Sequence, residues 1–137
     1  MLISNSALET ILIGETLGKK IKGTKTNILL YGDLGSGKTQ IVKGIAKGLG
    51  IHDIVNSPTF TVMKKYVGDD ILYHLDLYRL NSVGQDFDLE EFIDSEGICA
   101  IEWPDNIEEI LPDKYIKIEI TILSDETRMI DITSVGE

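Results

Sequence analysis

Gly32-Asp-Leu-Gly-Ser-Gly-Lys-Thr39 is the stretch that decides the fold, since it fits the spacing G-x-x-x-x-G-K-[ST]. It follows an apolar run at residues 28–31, which is typical of a buried parallel strand. Beyond the stretch, apolar side chains recur at helical spacing until Gly50 ends the pattern. A phosphate-binding loop requires this strand–loop–helix context, whereas an ordinary glycine-rich turn does not. The stretch therefore predicts a nucleotide site.

The residue types in this loop suit the phosphates of a nucleotide. Glycines let backbone N–H groups approach phosphate oxygens, and the N-terminus of the following helix adds the positive end of its dipole. Lys38 would place its ammonium on the β and γ phosphates, and the Thr39 hydroxyl would bind Mg²⁺. The predicted cofactors are ATP and Mg²⁺. The predicted cofactor-binding residues of this stretch are Gly32, Asp33, Leu34, Gly35, Ser36, Gly37, Lys38, Thr39 and Gln40.

The length of 137 residues predicts one domain. Together with the phosphate-binding loop, this predicts a single P-loop ATPase domain over residues 1–137. No apolar run approaches the roughly 20 residues that cross a bilayer, and the first residues lack the pattern of a signal peptide. The single cysteine, Cys99, lies in an apolar run and is expected to be a buried structural thiol. These features favour a cytoplasmic protein without a membrane partner.

The net charge of −10 is unevenly distributed along the chain. Residues 1–68 have nine basic and four acidic residues, a net of +5, whereas residues 69–113 have one basic and fourteen acidic residues, a net of −13. The acidic segment is either a solvated face or a docking surface for a basic partner. Direct binding of DNA or RNA by this chain alone is disfavoured, because phosphate backbones select clustered Lys and Arg.

The N-terminal segment predicts a helix that begins at a capping box, Ser6-Ala-Leu-Glu9. Leu8, Ile11 and Leu12 begin an apolar stripe that runs toward Ile21. Either Ser6 or Thr10 could also contact the nucleotide base, with capping the favoured role for Ser6.

Residues 56–61 predict a loop, because Pro58 keeps Ser57 extended and lacks an N–H donor. P-loop proteins often have a nucleotide-sensing loop at this point of the chain. A hydroxyl there, on Thr59 or Ser57, could reach the metal or the γ-phosphate. A plain turn is the alternative.

Residues 61–67 and 71–80 predict a β-hairpin around the turn 68–70. Asp76 lies in the middle of the second, strongly apolar strand, where burial is costly unless a metal, base or donor pairs with the carboxylate. We interpret Asp76 as functional, with a satisfied structural carboxylate as the alternative. His74 lies on the same face and is interpreted as structural.

A second buried strand is predicted at residues 98–101, and it ends in Glu102, Trp103 and Pro104. This pattern resembles a Walker B strand, which would place Glu102 at the carboxyl edge where such sheets bind ligands. Trp103 is either a rim residue of the site or part of the core. Short helices are predicted near residues 87–93 and 106–111, and two antiparallel strands at 116–122 and 129–133.

The missing features narrow the class of nucleotide protein. No N-K-x-D segment that would read guanine occurs, which favours ATP. A small-molecule kinase would need a lid and additional cations, whereas this chain has two arginines, Arg79 and Arg128, and no spare segment. The favoured interpretation is a Mg²⁺-dependent ATPase that is slow alone for lack of an evident arginine finger. The alternatives are a P-loop small-molecule kinase and a nucleotide-binding module without hydrolysis.

Four motifs in order also resemble the TsaE family, also called YjeE. They are Gly32-Asp-Leu-Gly-Ser-Gly-Lys-Thr39, Ser57-Pro-Thr-Phe60, His74-Leu-Asp-Leu-Tyr-Arg-Leu80 and Ile98-Cys-Ala-Ile-Glu-Trp-Pro104. The resemblance implies a three-layer α/β P-loop NTPase fold whose sheet is mainly parallel with added antiparallel strands. It implies an ATPase that acts with the TsaB–TsaD heterodimer when threonylcarbamoyladenosine is installed at position 37 of tRNA. Contact with tRNA would be indirect, through the complex.

The resemblance also assigns roles to residues of this chain. Lys38 matches the phosphate-binding lysine, and Thr39 and Glu102 match the Mg²⁺ ligands. Asp76 matches a carboxylate expected to orient or activate the attacking water, and Trp103 matches a tryptophan at the site. Two positions depart from the family pattern. Ser36 stands where the family usually has Ala, and Asp88 where relatives tend to have Gly.

Overall fold

The computed structural model describes residues 2–33, 35–55, 63–76, 97–102 and 112–136. These residues form one sheet of seven strands and two helices. The strands are β1 (Leu2–Ser4), β2 (Thr26–Tyr31), β3 (Met63–Val67), β4 (Ile71–Asp76), β5 (Ile98–Glu102), β6 (Tyr115–Ile122) and β7 (Arg128–Val135). The helices are α1 (Ala7–Ile21) and α2 (Lys38–Gly48). The predicted helices near residues 87–93 and 106–111, and the predicted loop 56–61, lie outside the described residues.

The strand order is β1-β7-β6-β2-β5-β4-β3. The four central strands β6, β2, β5 and β4 are parallel, whereas β3, β7 and β1 are antiparallel to their neighbours. This confirms the predicted parallel sheet with added antiparallel strands. The hairpin β3–β4 and the terminal pair β6–β7 are also confirmed, while the edge strand β1 was not predicted.

Both faces at the centre of the sheet are covered. Successive residues of a strand point to opposite faces, and on β2 Ile28 and Leu30 join the cluster formed with the helices. Leu29 of the same strand points the other way and is also fully buried, as is Ile101 of β5. Burial on both faces agrees with the three-layer α/β architecture expected from the sequence.

Cys99 lies on β5 and is fully buried, so the predicted structural thiol is confirmed. Burial in an apolar environment raises the pKa of the Cys99 thiol to about 12. The thiol is therefore protonated and unreactive in the folded protein.

The buried stripe of α1 differs from the one that the sequence predicted. Leu8 and Leu12 are 64% and 51% exposed, so the expected apolar stripe is wrong over the first two turns. The helix instead buries Thr10, Gly14, Leu17, Gly18 and Ile21. A stripe of small residues faces α2 because the two helix backbones are in direct contact.

Paired glycines create this contact between the helices. A Cβ added at Gly44 of α2 would overlap the carbonyl oxygen of Ile11, and one at Gly48 would lie 2.5 Å from the carbonyl oxygen of Glu15. Gly14 and Gly18 of α1 approach α2 equally closely. The spacing of four residues in both helices keeps the glycines on one face of each helix. As a result, the two helix N-termini lie close together.

The turn between β3 and β4 is tied to the far ends of the helices. Lys22, just after α1, forms an ion pair with Asp69 at 2.6 Å, and this hydrogen-bonded ammonium lowers the pKa of the Asp69 carboxyl. The Asp70 carboxylate accepts a hydrogen bond of 2.6 Å from the N–H of Gly23. At least these two acids of the acidic segment therefore have partners within the fold.

Candidate functional site

The loop after β2 has the backbone that its glycines predict. Gly35 and Gly37 have φ values of +79° and +110°, a region that residues with a Cβ rarely adopt. Gly32 leaves room for a close approach, since a Cβ there would lie 2.6 Å from Ser36 Oγ and 2.8 Å from the carbonyl oxygen of Ile120. The tight curl of the loop therefore depends on glycine at these positions.

Helix α2 begins at Lys38 without a side-chain cap. Its N-cap residue is Gly37, which has no side chain to accept a hydrogen bond from the first turn, and the first turn has no acidic residue. Uncapped N–H groups at a helix N-terminus require an acceptor from elsewhere, and the helix dipole favours an anion. The start of α2 is therefore suited to a phosphate group.

Lys38 holds its charge inside the site. Its residue is 5% exposed, and its Nζ donates a hydrogen bond of 2.6 Å to the carbonyl oxygen of Gly32. The Lys38 side chain thus reaches from the end of the loop back to its first glycine, Gly32. A buried cation in this position favours the binding of an anion.

A cavity of about 480 Å³ opens beside the loop and the start of α2. Its volume is within the range of small-molecule sites. Residues from α1, the loop, α2, β4, β5 and the β6–β7 hairpin contribute to its wall. They are Ser6, Ala7, Thr10, Gly35, Ser36, Gly37, Lys38, Thr39, Gln40, Asp76, Glu102, Asp125, Glu126 and Arg128.

The parallel register brings two predicted carboxylates to one edge of the sheet. Asp76 of β4 pairs with Glu102 of β5, and Glu102 pairs with Leu30 of β2. Residues paired in this way point to the same face. Leu30 belongs to the helix-facing cluster, so both carboxylates lie on the side of the sheet where α2 begins. Two strands distant in sequence therefore deliver their acids to the wall of the same cavity.

Glu102 is held by a histidine on the neighbouring strand. His74 Nε2 and Glu102 Oε2 are 2.5 Å apart, and the two residues are 0% and 3% exposed. His74 Nδ1 has no hydrogen-bond partner among the described residues. This contact holds one oxygen of the Glu102 carboxylate and thereby sets the orientation of the carboxylate.

The N-terminus of α1 also lies at this cavity, but its polar side chains form hydrogen bonds within the N-terminal segment itself. Ser6 Oγ accepts a hydrogen bond of 3.1 Å from the N–H of Glu9, which confirms the predicted cap. Thr10 is 2% exposed, and its hydroxyl lies 2.7 Å from Ser4 Oγ and 3.2 Å from the carbonyl oxygen of Ser6. Strand β1 therefore braces the start of α1 through Ser4.

Arg128, the first residue of β7, was not recognised from the sequence as a site residue. Its guanidinium donates hydrogen bonds to the carbonyl oxygens of Ser36 and Gly35 at 3.0 and 3.3 Å. The contact joins residues far apart in the chain, so local sequence patterns do not predict it. The one sequence feature that pointed to Arg128 was that the chain has only two arginines.

The remaining predicted site residues fall into two groups. Asp33 is exposed, and Thr39 and Gln40 are half-buried in the cavity wall. Leu34, Thr59 and Trp103 lie outside the described residues. Among the residues that the structure describes, no group of three His, Cys, Asp or Glu side chains could hold a metal ion. A cation here would therefore need ligands other than such a cluster.

Comparison with known proteins gives one consistent family. The family model described as "Threonylcarbamoyl adenosine biosynthesis protein TsaE" matches residues 4–130. The tRNA threonylcarbamoyladenosine biosynthesis protein TsaE of Bacillus subtilis is 47% identical over 80% of this chain and 70% of its own length. The protein of the same name from Treponema pallidum is 38% identical over 95% of this chain and 97% of its own length.

A solved structure shows the same fold. The crystal structure of YdiB from Bacillus subtilis superposes with a TM-score of 0.83 and 35% identity. The match covers 99% of this chain and 84% of that one. Neither of the two named relatives is described as a kinase.

Within the described ranges, no helix is both long enough and apolar enough to cross a bilayer.

Proposed function

The chain belongs to the TsaE family, and from this premise we propose that it binds and hydrolyses ATP in support of tRNA threonylcarbamoyladenosine synthesis. The modified residue is position 37 of tRNA, and the chain acts with a TsaB–TsaD heterodimer. Hydrolysis sustains turnover of that complex. The proposal includes one ATPase domain over residues 1–137 in the cytoplasm.

The observation that carries this proposal is the uncapped start of α2 in the wall of the cavity. A helix N-terminus without a side-chain cap, next to a buried Lys38, attracts the phosphates of a nucleotide. Backbone N–H groups of the loop hold the phosphate oxygens, apart from the Ser36 N–H, which donates to the carbonyl oxygen of Asp33. The Lys38 ammonium neutralises the charge of the phosphates. Leu34, Asp33 and Gln40 complete the proposed loop contacts.

The donor set at the edge of the sheet suits Mg²⁺. Thr39 offers a hydroxyl and Glu102 a buried carboxylate, both in the cavity wall. Mg²⁺ takes few protein ligands and fills its octahedron with phosphate oxygens and water, so the absence of a three-acid cluster among the described residues is no obstacle. When bound, the ion supplies charge stabilisation to the phosphates. His74 holds the Glu102 carboxylate in place for this role.

Asp76 is proposed to orient the attacking water. It lies beside Glu102 in the register of β4 and β5, at the same face and edge. A carboxylate so placed accepts a hydrogen bond from water and directs its lone pair toward the γ-phosphate. We also assign Thr59 and Trp103 to contacts with the nucleotide, whereas Ser6, whose hydroxyl caps α1, makes at most a minor contact with it.

Reconstituted tRNA modification with and without this protein tests the function. We expect multiple turnovers of TsaB–TsaD only when the chain and ATP are both present, together with ATP consumption that depends on the partners. Modification that continues equally without the chain would contradict the proposal. A small-molecule acceptor that strongly raises ADP production in the absence of TsaB–TsaD would instead reveal a kinase.

A further inference from the structure

Arg128 uses all three of its guanidinium nitrogens on backbone carbonyls. Nε donates to Ser36 O at 3.0 Å and Nη2 to Gly35 O at 3.3 Å, while Nη1 donates to Ser124 O at 2.7 Å. Nη1 is also within 3.3 Å of Asp125 O and 3.1 Å of Thr127 O. One side chain thus joins the phosphate loop to the turn between β6 and β7.

The two loop carbonyls held by Arg128 belong to the peptides that carry the N–H groups of Ser36 and Gly37. The Ser36 N–H donates to the carbonyl oxygen of Asp33 at 3.0 Å, so the peptide between Ser36 and Gly37 is the one that concerns an anion. In an anion-binding nest, consecutive N–H groups point inward, so the carbonyls of the same peptides point away from the anion. Outward carbonyls require donors of their own when they are shielded from water. Ser36 is 1% exposed, so its carbonyl depends on a donor from the protein.

An arginine is suited to this task because its fork is planar and rigid. Nε and one terminal nitrogen lie on the same edge of the guanidinium and reach two neighbouring acceptors at once. The third nitrogen is already fixed by the carbonyl of Ser124. The side chain therefore loses little further freedom when it binds the loop.

We propose that Arg128 is a positioning residue: it holds the Ser36 carbonyl so that the Gly37 N–H faces the phosphate site, and it holds the Gly35 carbonyl so that the Ser36 N–H keeps its bond to Asp33. The inference rests on the proposed function for its link to ATP. It extends that function by assigning loop geometry to the β6–β7 hairpin, far along the chain from the motif. Arg128 also adds a permanent positive charge to the cavity wall.

Arg128→Lys separates geometry from charge. Lysine retains the positive charge but cannot hold two adjacent carbonyls and the turn with one planar fork. We expect both Arg128→Lys and Arg128→Ala to weaken the Kd for ADP, and for a non-hydrolysable ATP analogue with Mg²⁺, roughly 10- to 100-fold in isothermal titration calorimetry. Lys19→Ala removes an exposed cation from the far end of α1 and should bind like the original protein.

Amide hydrogen exchange of the nucleotide-free protein provides a test that does not depend on ATP binding. Arg128→Lys should speed exchange at residues 35–38, while the central strand β2 keeps its protection. Because this readout needs no ligand, it separates failure of the positioning role from failure of the proposed function, in which the original protein would bind no nucleotide.

Two results would overturn the positioning role. If Arg128→Lys binds nucleotide like the original protein and keeps loop protection, charge alone matters. If Arg128→Ala melts at a lower temperature but retains nucleotide affinity and loop protection, Arg128 only fastens the turn. Should Arg128→Ala fail to fold, Arg128→Lys decides between the outcomes by the same two measurements.

Discussion

Helices α1 and α2 both begin at the wall of one cavity, but they differ in whether their N-cap residue accepts a hydrogen bond from the first turn. Helix α1 satisfies a donor of its first turn with its own Ser6. The N-cap residue of helix α2 is Gly37, which has no side chain to cap the first turn. A helix end normally finds acceptors for these donors. One helix end is thus capped by a side chain of its own segment, whereas the other begins at a glycine in the wall of the cavity.

The two ends face the same space because the helix backbones touch. Gly14 and Gly18 on α1 meet Gly44 and Gly48 on α2, with no room for a Cβ between them. The N-terminus of α1 therefore lies in a fixed position beside the N-terminus of α2 and forms part of the cavity wall. Around them, β4 and β5 supply carboxylates and the β6–β7 hairpin supplies Arg128.

The largest effect is expected from removing a carboxylate while leaving the uncapped helix end intact. Asp76→Ala and Glu102→Ala should each lower kcat for ATP hydrolysis roughly 100-fold or more. The first variant removes the carboxylate proposed to orient the attacking water, and the second removes the carboxylate proposed to bind Mg²⁺. Binding of the ADP part should persist, since the loop and α2 are unchanged. A phosphate-release assay with calorimetry on the same samples measures both.

Glu119→Ala is the matched control for these variants, since Glu119 is an exposed carboxylate on β6 that pairs with Lys117. Its turnover should equal that of the original protein. Turnover at the original rate in Asp76→Ala or Glu102→Ala would remove that residue from the reaction.

Gly44→Ala should separate the two helices. The added Cβ would overlap the carbonyl oxygen of Ile11, so α1 must move away from α2. We expect a loss of about 3 kcal/mol or more in the free energy of unfolding, at the upper end of overpacking effects. Denaturant melts followed by circular dichroism measure it. Lys43→Ala, one residue earlier, should change stability by less than about 1 kcal/mol, and equal stability of Gly44→Ala would argue against direct backbone contact.

Ser6→Ala tests the capped end alone. Loss of the Ser6 cap on Glu9 should cost about 1 kcal/mol of folding stability. Nucleotide affinity should change by less than about threefold if the donors of α1 serve the fold rather than the ligand. A thermal melt and a nucleotide titration of the same variant distinguish these roles. A large loss of affinity without loss of stability would make Ser6 primarily a ligand contact.

Ser36→Ala is the smallest change. Ser36 Oγ is buried and has no hydrogen-bond partner among the described residues. Removing an unsatisfied hydroxyl should leave stability unchanged or raise it by up to about 1 kcal/mol, with unchanged nucleotide affinity. Lower stability in a denaturant titration would show that the hydroxyl has a partner in solution.

Sequence predicted those parts of the fold and site that depend on neighbouring residues. The apolar run before Gly32 and the helical pattern after Lys38 set β2 and α2, because period and turn chemistry are local signals. The apolar run that ends at Glu102 likewise placed this acid at a strand end. Asp76 was predicted in the middle of a strand over residues 71–80, and its position beside Glu102 became known only from the register of β4 and β5.

The parts that sequence missed depend on contacts between distant segments. Arg128 lies 92 positions from Ser36, and nothing in its own neighbourhood marks it as a loop contact. The exposed Leu8 and Leu12 look like core residues until the glycine contact with α2 is known. Strand β1 has only three residues and exists through its pairing with β7. Tertiary packing, which local patterns do not encode, decided each of these.

Calorimetric titration of the whole chain with ATP and Mg²⁺, beside Lys38→Ala, tests the central claim most directly. Lys38 is nearly buried and reaches back to Gly32 across the proposed phosphate site. We expect one bound ATP per chain and a loss of at least about 100-fold in affinity for Lys38→Ala. No detectable binding by the original chain, or equal binding by Lys38→Ala, would contradict it.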